Sequence, residues 1–137
     1  MVPVDQTIFE DGHGDCLRAC VASILELPIA ILPNFAERGY YAGVAEFLAT
    51  LGLSLLEISW SGDGYAHEQY LSCLPVIHCI VGGWSPRGND GSGKRKQHAV
   101  VGHVAGWQVI VDHDPHPSRA GIVGEPLHLV WIVKAPA

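Results

Sequence analysis

The sequence predicts an α+β fold, with helices first and an antiparallel sheet after them. Two observations carry this. Helical apolar spacing is confined to two stretches that end by Leu51, and short apolar runs bounded by glycine or proline fill much of the chain beyond Leu51. A third observation bounds the size: 137 residues, 48% of them apolar, suffice for one core, so residues 1–137 read as a single domain.

The first helix starts at Cys16. Leu17, Cys20, Val21, Ile24 and Leu25 fall on one helical face, Asp15 is placed as its N-cap, and Pro28 stops it. A second helix runs from about Tyr41 to Leu51, with Val44, Phe47, Leu48 and Leu51 on one stripe and Gly52 as its stop. Leu53 to Ile58 reads as a strand, and Tyr65 to Cys73 as a loop or short helix. Val76 to Val81 reads as a buried strand ending at Gly82-Gly83. Ser85 to Lys96, rich in Gly, Pro, Asn, Ser and charge, reads as a mobile surface loop. Three further strands are expected at about Gln97 to Val104, Trp107 to His113 and Leu127 to Val133.

Composition removes several function classes. The formal net charge of −6 argues against general nucleic-acid binding, because the phosphate backbone is held chiefly by Lys and Arg. No run of about 18 uninterrupted apolar residues is present to span a membrane, and Met1 to Gln6 lacks the basic and apolar segments of a secretory signal. A cytoplasmic protein is therefore expected. Its four cysteines, Cys16, Cys20, Cys73 and Cys79, are expected as free thiols, since a domain of this size needs no disulfide staples.

Chemistry-bearing residues recur in a definite order. Gly14-Asp15-Cys16 puts a thiol at a helix start, where the helix N-terminus and a neighbouring imidazolium would both favour the thiolate. Cys20, one turn on among Val21 and Ile24, reads as core. His98 opens a strand after the polar loop, while His103 lies near a hairpin turn. Asp112-His113-Asp114-Pro115 closes the next strand and offers two carboxylates. A three-residue connection, Ala105 to Trp107, would pair Val104 with Gln108 and set Asp114 opposite His98, with Asp112 as the alternative. A two-residue Ala105-Gly106 turn would instead set His113 there, which a triad excludes.

A thiol starting a helix, an imidazole starting a strand and an Asp-Pro at the end of the next strand resemble the papain-like cysteine peptidases. Bacterial and phage-encoded peptidase domains of the bacteriocin leader peptidase type are the nearest pattern. The resemblance covers the first helix and the last half of the chain. It implies a papain-like fold, with Cys16 as nucleophile, His98 as general base and later acid, and Asp114 as the group orienting the imidazole. It also implies an oxyanion-hole glutamine upstream of the thiol. Gln6 is the only one there, ten residues before Cys16 where about six is usual, so the loop Asp11 to Gly14 must bulge, or His13 or Asp15 must serve instead.

The expected activity is hydrolysis of a peptide or isopeptide bond in a peptide or protein substrate, through an acyl-thioester and with no metal or cofactor. Four of the eight Lys and Arg, namely Arg87, Lys94, Arg95 and Lys96, lie just before His98. With Trp84 they form the candidate substrate-binding segment, suited to an acidic stretch of substrate. Two other classes compete. One is a non-catalytic peptide- or protein-binding module on the same fold. The other is a metal-binding protein using the crowded Asp112, His113, Asp114 and His116, or His13, Cys16 and Cys20.

Overall fold

The structure, a computed structural model, describes residues 1–10, 12–59, 77–106 and 108–136. Helix α1 (Cys16–Leu25) and helix α2 (Tyr41–Ala49) pack on one face of a sheet of β1 (Leu53–Ser59), β2 (Cys79–Asn89), β3 (Arg95–Ala105), β4 (Gln108–His113) and β5 (Val123–Lys134). Every strand pair is antiparallel, and the order is β1-β5-β2-β3-β4. The α+β class is thus observed. Two short 3-10 turns, Ile29–Ile31 and Phe35–Glu37, join the helices.

α1 is the central helix. Leu17, Cys20 and Val21 are buried as the apolar stripe requires, and so are Ala19, Ala22 and Ser23, because small residues let the sheet and the N-terminal segment approach its other sides. The helix ends before Pro28: Glu26 turns left-handed (φ 58°), and Leu27 N–H bonds the Ala22 carbonyl. In α2, Val44 and Leu48 are buried, whereas Leu51 falls beyond the helix and is exposed.

The central parts of β2, β3 and β5 read as continuous apolar runs because their side chains are buried on both faces of the sheet. Ile80, Val101 and Val130 join the helix-side core with Leu17, Val21 and Leu48. Their neighbours Val81, Val100 and Leu129 alternate onto the opposite face with Trp131. β5 lies between β1 and β2, so β1 joins the rest of the sheet only through β5.

Two expectations fail here. Ser85 to Lys96 is not a mobile loop: β2 continues to Asn89 and β3 begins at Arg95, leaving residues 90–94 as the turn. Asp90 Oδ1 closes that turn by accepting Ser92 N–H, Ser92 Oγ–H and Lys94 N–H. Polar composition concealed a hairpin whose strands pair through backbone bonds.

The β3–β4 register also differs. Ala105 pairs with Gln108 and Val104 with Val109, not with Gln108 as expected. Between Gly102↔Val111 and Val101↔His113 the register shifts, leaving Asp112 as a bulge residue without a partner in the ladder. Asp114 reaches His98 from beyond the end of β4 and not from across a regular ladder. The expected segment at Tyr65 to Cys73, the start of the expected strands at Val76 and Trp107, and Asp11 lie outside the described residues. No single helix among the described residues is long and apolar enough to cross a membrane.

Candidate active site

Cys16 is the first residue of α1, the N1 position, half-buried and lining a cavity of about 590 Å³ shared with His98, Gln6 and Gly82. Its neighbour Asp15 occupies the N-cap position as expected, but its side chain makes no capping hydrogen bond. The Asp15 backbone (φ −107°, ψ 29°) is outside the extended region from which a side chain reaches back to the first-turn N–H groups. The first turn therefore keeps its partial positive charge without a carboxylate from Asp15 on it, which suits an anion at Cys16.

His98 and Asp114 form a buried pair, each 4% exposed, with His98 Nε2 donating to Asp114 Oδ1 at 2.7 Å. Asp114 is the centre of its loop: Oδ1 also accepts His116 N–H at 2.9 Å, and Oδ2 accepts Gly121 N–H at 2.7 Å. Burial pushes the Asp114 carboxyl up, but these three hydrogen bonds and the His98 charge outweigh it and hold the group at about 2. Burial likewise pulls the His98 imidazole down. Hydrogen bonds and charge from Asp114 and Cys16 prevail and raise it to about 8. With Nε2 engaged by Asp114, Nδ1 is the ring nitrogen left for Cys16. The His116 ring stands edge-on to His98 at 6.4 Å, and Phe9 is edge-on to His116 at 5.4 Å.

The ten-residue interval from Gln6 to Cys16 is accommodated by a closed loop. Thr7 N–H and Ile8 N–H both donate to Asp15 Oδ1 at 2.8 Å, Thr7 Oγ–H donates to Oδ2 at 2.7 Å, and Asp15 N–H returns a bond to the Ile8 carbonyl. Residues 7 and 15 are thereby pinned together, with the intervening chain looped out. Gln6, 8% exposed, comes to line the cavity with Cys16. Its Nε2 donates one N–H to the Ile8 carbonyl at 2.9 Å, and its backbone N–H bonds the Pro115 carbonyl, beside Asp114. Asp15 cannot be the oxyanion donor, because its carboxylate only accepts. His13 is exposed and does not line the cavity.

Asp15, 1% exposed and also 3.6 Å from the Arg18 guanidinium, is thus a structural anchor for the site. Asp15→Ala would leave three donors without their acceptor, an expected loss of about 2–3 kcal/mol and roughly 10 °C in melting temperature. Thermal unfolding followed by circular dichroism checks this. An unchanged melting temperature would mean that the loop does not depend on Asp15.

The basic segment divides. Arg87, Arg95 and Lys96 line the cavity, whereas Lys94 sits in the hairpin turn and Trp84 does not line it. Trp84 instead lies under Arg95, whose guanidinium is 4.3 Å from the ring centroid. Asp112 diverges from Asp114: its Oδ2 bonds His103 Nδ1 at 2.6 Å and lies 3.6 Å from His78 Nε2. His113 turns to Asp5 and the Val4 carbonyl. The residues crowded in sequence thus separate in space, and no group of three or more His, Cys, Asp or Glu among the described residues could hold a metal ion.

Several cavity residues had no sequence signal. Tyr41 and His128, both lining the cavity, bond at 2.9 Å, Oη to Nε2, and feel the charge of Glu57. The His128 ring lies so close to Gly82 that a Cβ there would be 2.1 Å from its Nε2. These residues come from α2, β1, β2 and β5, and only the sheet order brings them together. Cys20 is fully buried, and burial raises its thiol well above the ordinary value; Cys79 is raised to about 12 by burial and by the Asp112 charge. Cys16, Cys20 and Cys79 are all free thiols.

No family model matches the chain, and no curated protein or solved structure matches it.

Proposed function

We propose that the protein is a papain-like cysteine hydrolase that cleaves a peptide or isopeptide bond through an acyl-thioester on Cys16. The observation that supports this reading best is the buried Asp114–His98 pair, whose imidazole lines the same cavity as a half-buried thiol at the start of α1. In the proposed cycle the Cys16 thiolate attacks the substrate carbonyl, while Cys16 N–H and the second Gln6 N–H receive the oxyanion. The His98 imidazolium then gives its Nδ1 proton to the leaving amine as the C–N bond breaks. Water attacks the resulting thioester and loses a proton to neutral His98, and the C–S bond breaks to restore the thiolate and imidazolium. Free thiols in the described residues support a reducing, cytoplasmic setting.

Its signature is a pH profile. The raised His98 pKa means that the folded protein favours the imidazolium. This contribution to stability is complete below the ordinary value of 6.5 and is lost as pH rises through about 8. The Asp114 contribution is present above 3.8 and is lost as pH falls through about 2. Imidazolium and carboxylate therefore coexist between about pH 2 and 8. Iodoacetamide is expected to alkylate Cys16 readily at pH 6, where an ordinary thiol is only about 0.3% thiolate, ahead of Cys20 and Cys79. In His98→Ala the reaction should wait for alkaline pH. Mass-spectrometric mapping checks both, and an equally slow Cys16 in the wild type at pH 6 would overturn the reading.

A binding module is the second reading, favoured by the bond from Gln6 Nε2 to the Ile8 carbonyl, which engages half of the proposed oxyanion donor. A thiol reactive at pH 6 that turns over no acyl substrate would support it.

A further inference from the structure

Resting on the hydrolase reading, we propose that Arg87 and Arg95 form a carboxylate-binding subsite on the leaving-group side of Cys16, selecting substrates whose departing amine carries a carboxylate. Arg87 and Arg95 both line the cavity that holds the thiol. Each is held by a neutral partner: Arg87 Nη1 donates to Ser118 Oγ at 3.2 Å, and Arg95 stacks over the Trp84 ring. Among the described residues, these contacts hold two cations without a carboxylate partner.

Their side of the cavity follows from the loop they touch. Ser118 lies two residues from His116, whose ring is edge-on to His98 and whose basicity is lowered by burial and then by the Arg87 charge. His98 must hand its proton to the leaving amine, so that amine departs along the imidazole side, toward Arg87. Among the described residues, no carboxylate lining the cavity forms an ion pair with Arg87 or Arg95. Asp90 Oδ1 is held in the hairpin turn by Ser92 and Lys94, and Glu57 acts on Tyr41 and His128. Glu10 lies on the N-terminal loop beside Phe9. Guanidinium is suited to this task because its planar fork matches a carboxylate.

The carboxylate could be the free C-terminus of a departing amino acid or an acidic side chain in a departing segment. Peptide pools with a randomised acyl side and one of three leaving groups, glycine, glycinamide or aspartyl amide, separate these when the released amine is quantified by mass spectrometry. Cleavage favouring glycine alone identifies the terminal carboxylate. Cleavage favouring glycine and aspartyl amide alike identifies carboxylates generally. Equal cleavage of all three overturns the proposal. A substrate-free arm compares alkylation of Cys16 by iodoacetate and iodoacetamide at pH 6 and low salt. Arg95→Gln, which leaves the Asp114 loop untouched, and Arg87→Gln should each lower the iodoacetate-to-iodoacetamide rate ratio about fivefold, the scale of a well-placed exposed ion pair. Cys16 alkylated rapidly with the ratio unchanged in both variants would sink the subsite and spare the hydrolase. Cys16 slow toward both reagents in the wild type would sink the hydrolase reading itself.

Discussion

Cys16→Ala is expected to abolish hydrolysis, lowering kcat by about 10⁴-fold or more, while the melting temperature stays within about 4 °C of the wild type. Removing one sulfur from a half-buried N1 position deletes few contacts and leaves the backbone bonds of α1 in place, so the cost in stability is small. The chemistry has no substitute nucleophile nearby. Cys20, one turn along α1, is fully buried, and its thiol is held neutral by desolvation and by the negative charge of its neighbours. Kinetics on a cleaved peptide together with thermal unfolding separate the two effects. A variant that retains full turnover, or one that unfolds, would make Cys16 a packing residue.

Asp114→Ala is expected to damage both function and fold. Its carboxylate takes bonds from His98, His116 N–H and Gly121 N–H, so truncation leaves three donors facing a small void and removes the charge opposite a buried imidazole. The expected cost is about 3–5 kcal/mol, as for breaking a buried ion pair by removing one partner. Turnover should fall by about 10²–10⁴. Asp114→Asn separates the two roles. An amide oxygen can still accept from His98 and His116 N–H, so most of the fold should survive, but a neutral partner no longer favours the imidazolium. The alkaline limb of the pH–rate profile should then move below about 8. An Asn variant with the wild-type limb would show that Asp114 holds the loop without tuning His98, and the same comparison at Asp112, bonded instead to His103, is expected to leave the limb in place.

Most of the elements, and the candidate residues they carry, were legible in the chain alone. The apolar stripe of α1, Pro28 beyond it, Gly52 after α2 and the apolar runs of β1, β3, β4 and β5 are local signals, each written within about one element's length. Cys16 at a helix start and His98 near a strand start are legible for the same reason. How the elements meet was decided by contacts between distant segments. Asp15 looks like a cap locally, but its carboxylate is claimed by Thr7 and Ile8, eight and seven residues away, and that closure brings Gln6 to the thiol. The choice of Asp114 followed from a register that does not form. A bulge at Asp112 turns that side chain toward His103, and Asp114 reaches His98 through a loop folded around its own carboxylate. The polar run before His98 hid a hairpin, because backbone hydrogen bonds need no apolar stripe to announce them. Insertion of β5 between β1 and β2 set His128 against Tyr41 and Gly82. Local pattern reports what a segment buries. A site assembled from several elements depends instead on pairings between residues that lie far apart in the chain, and no short-range periodicity encodes those.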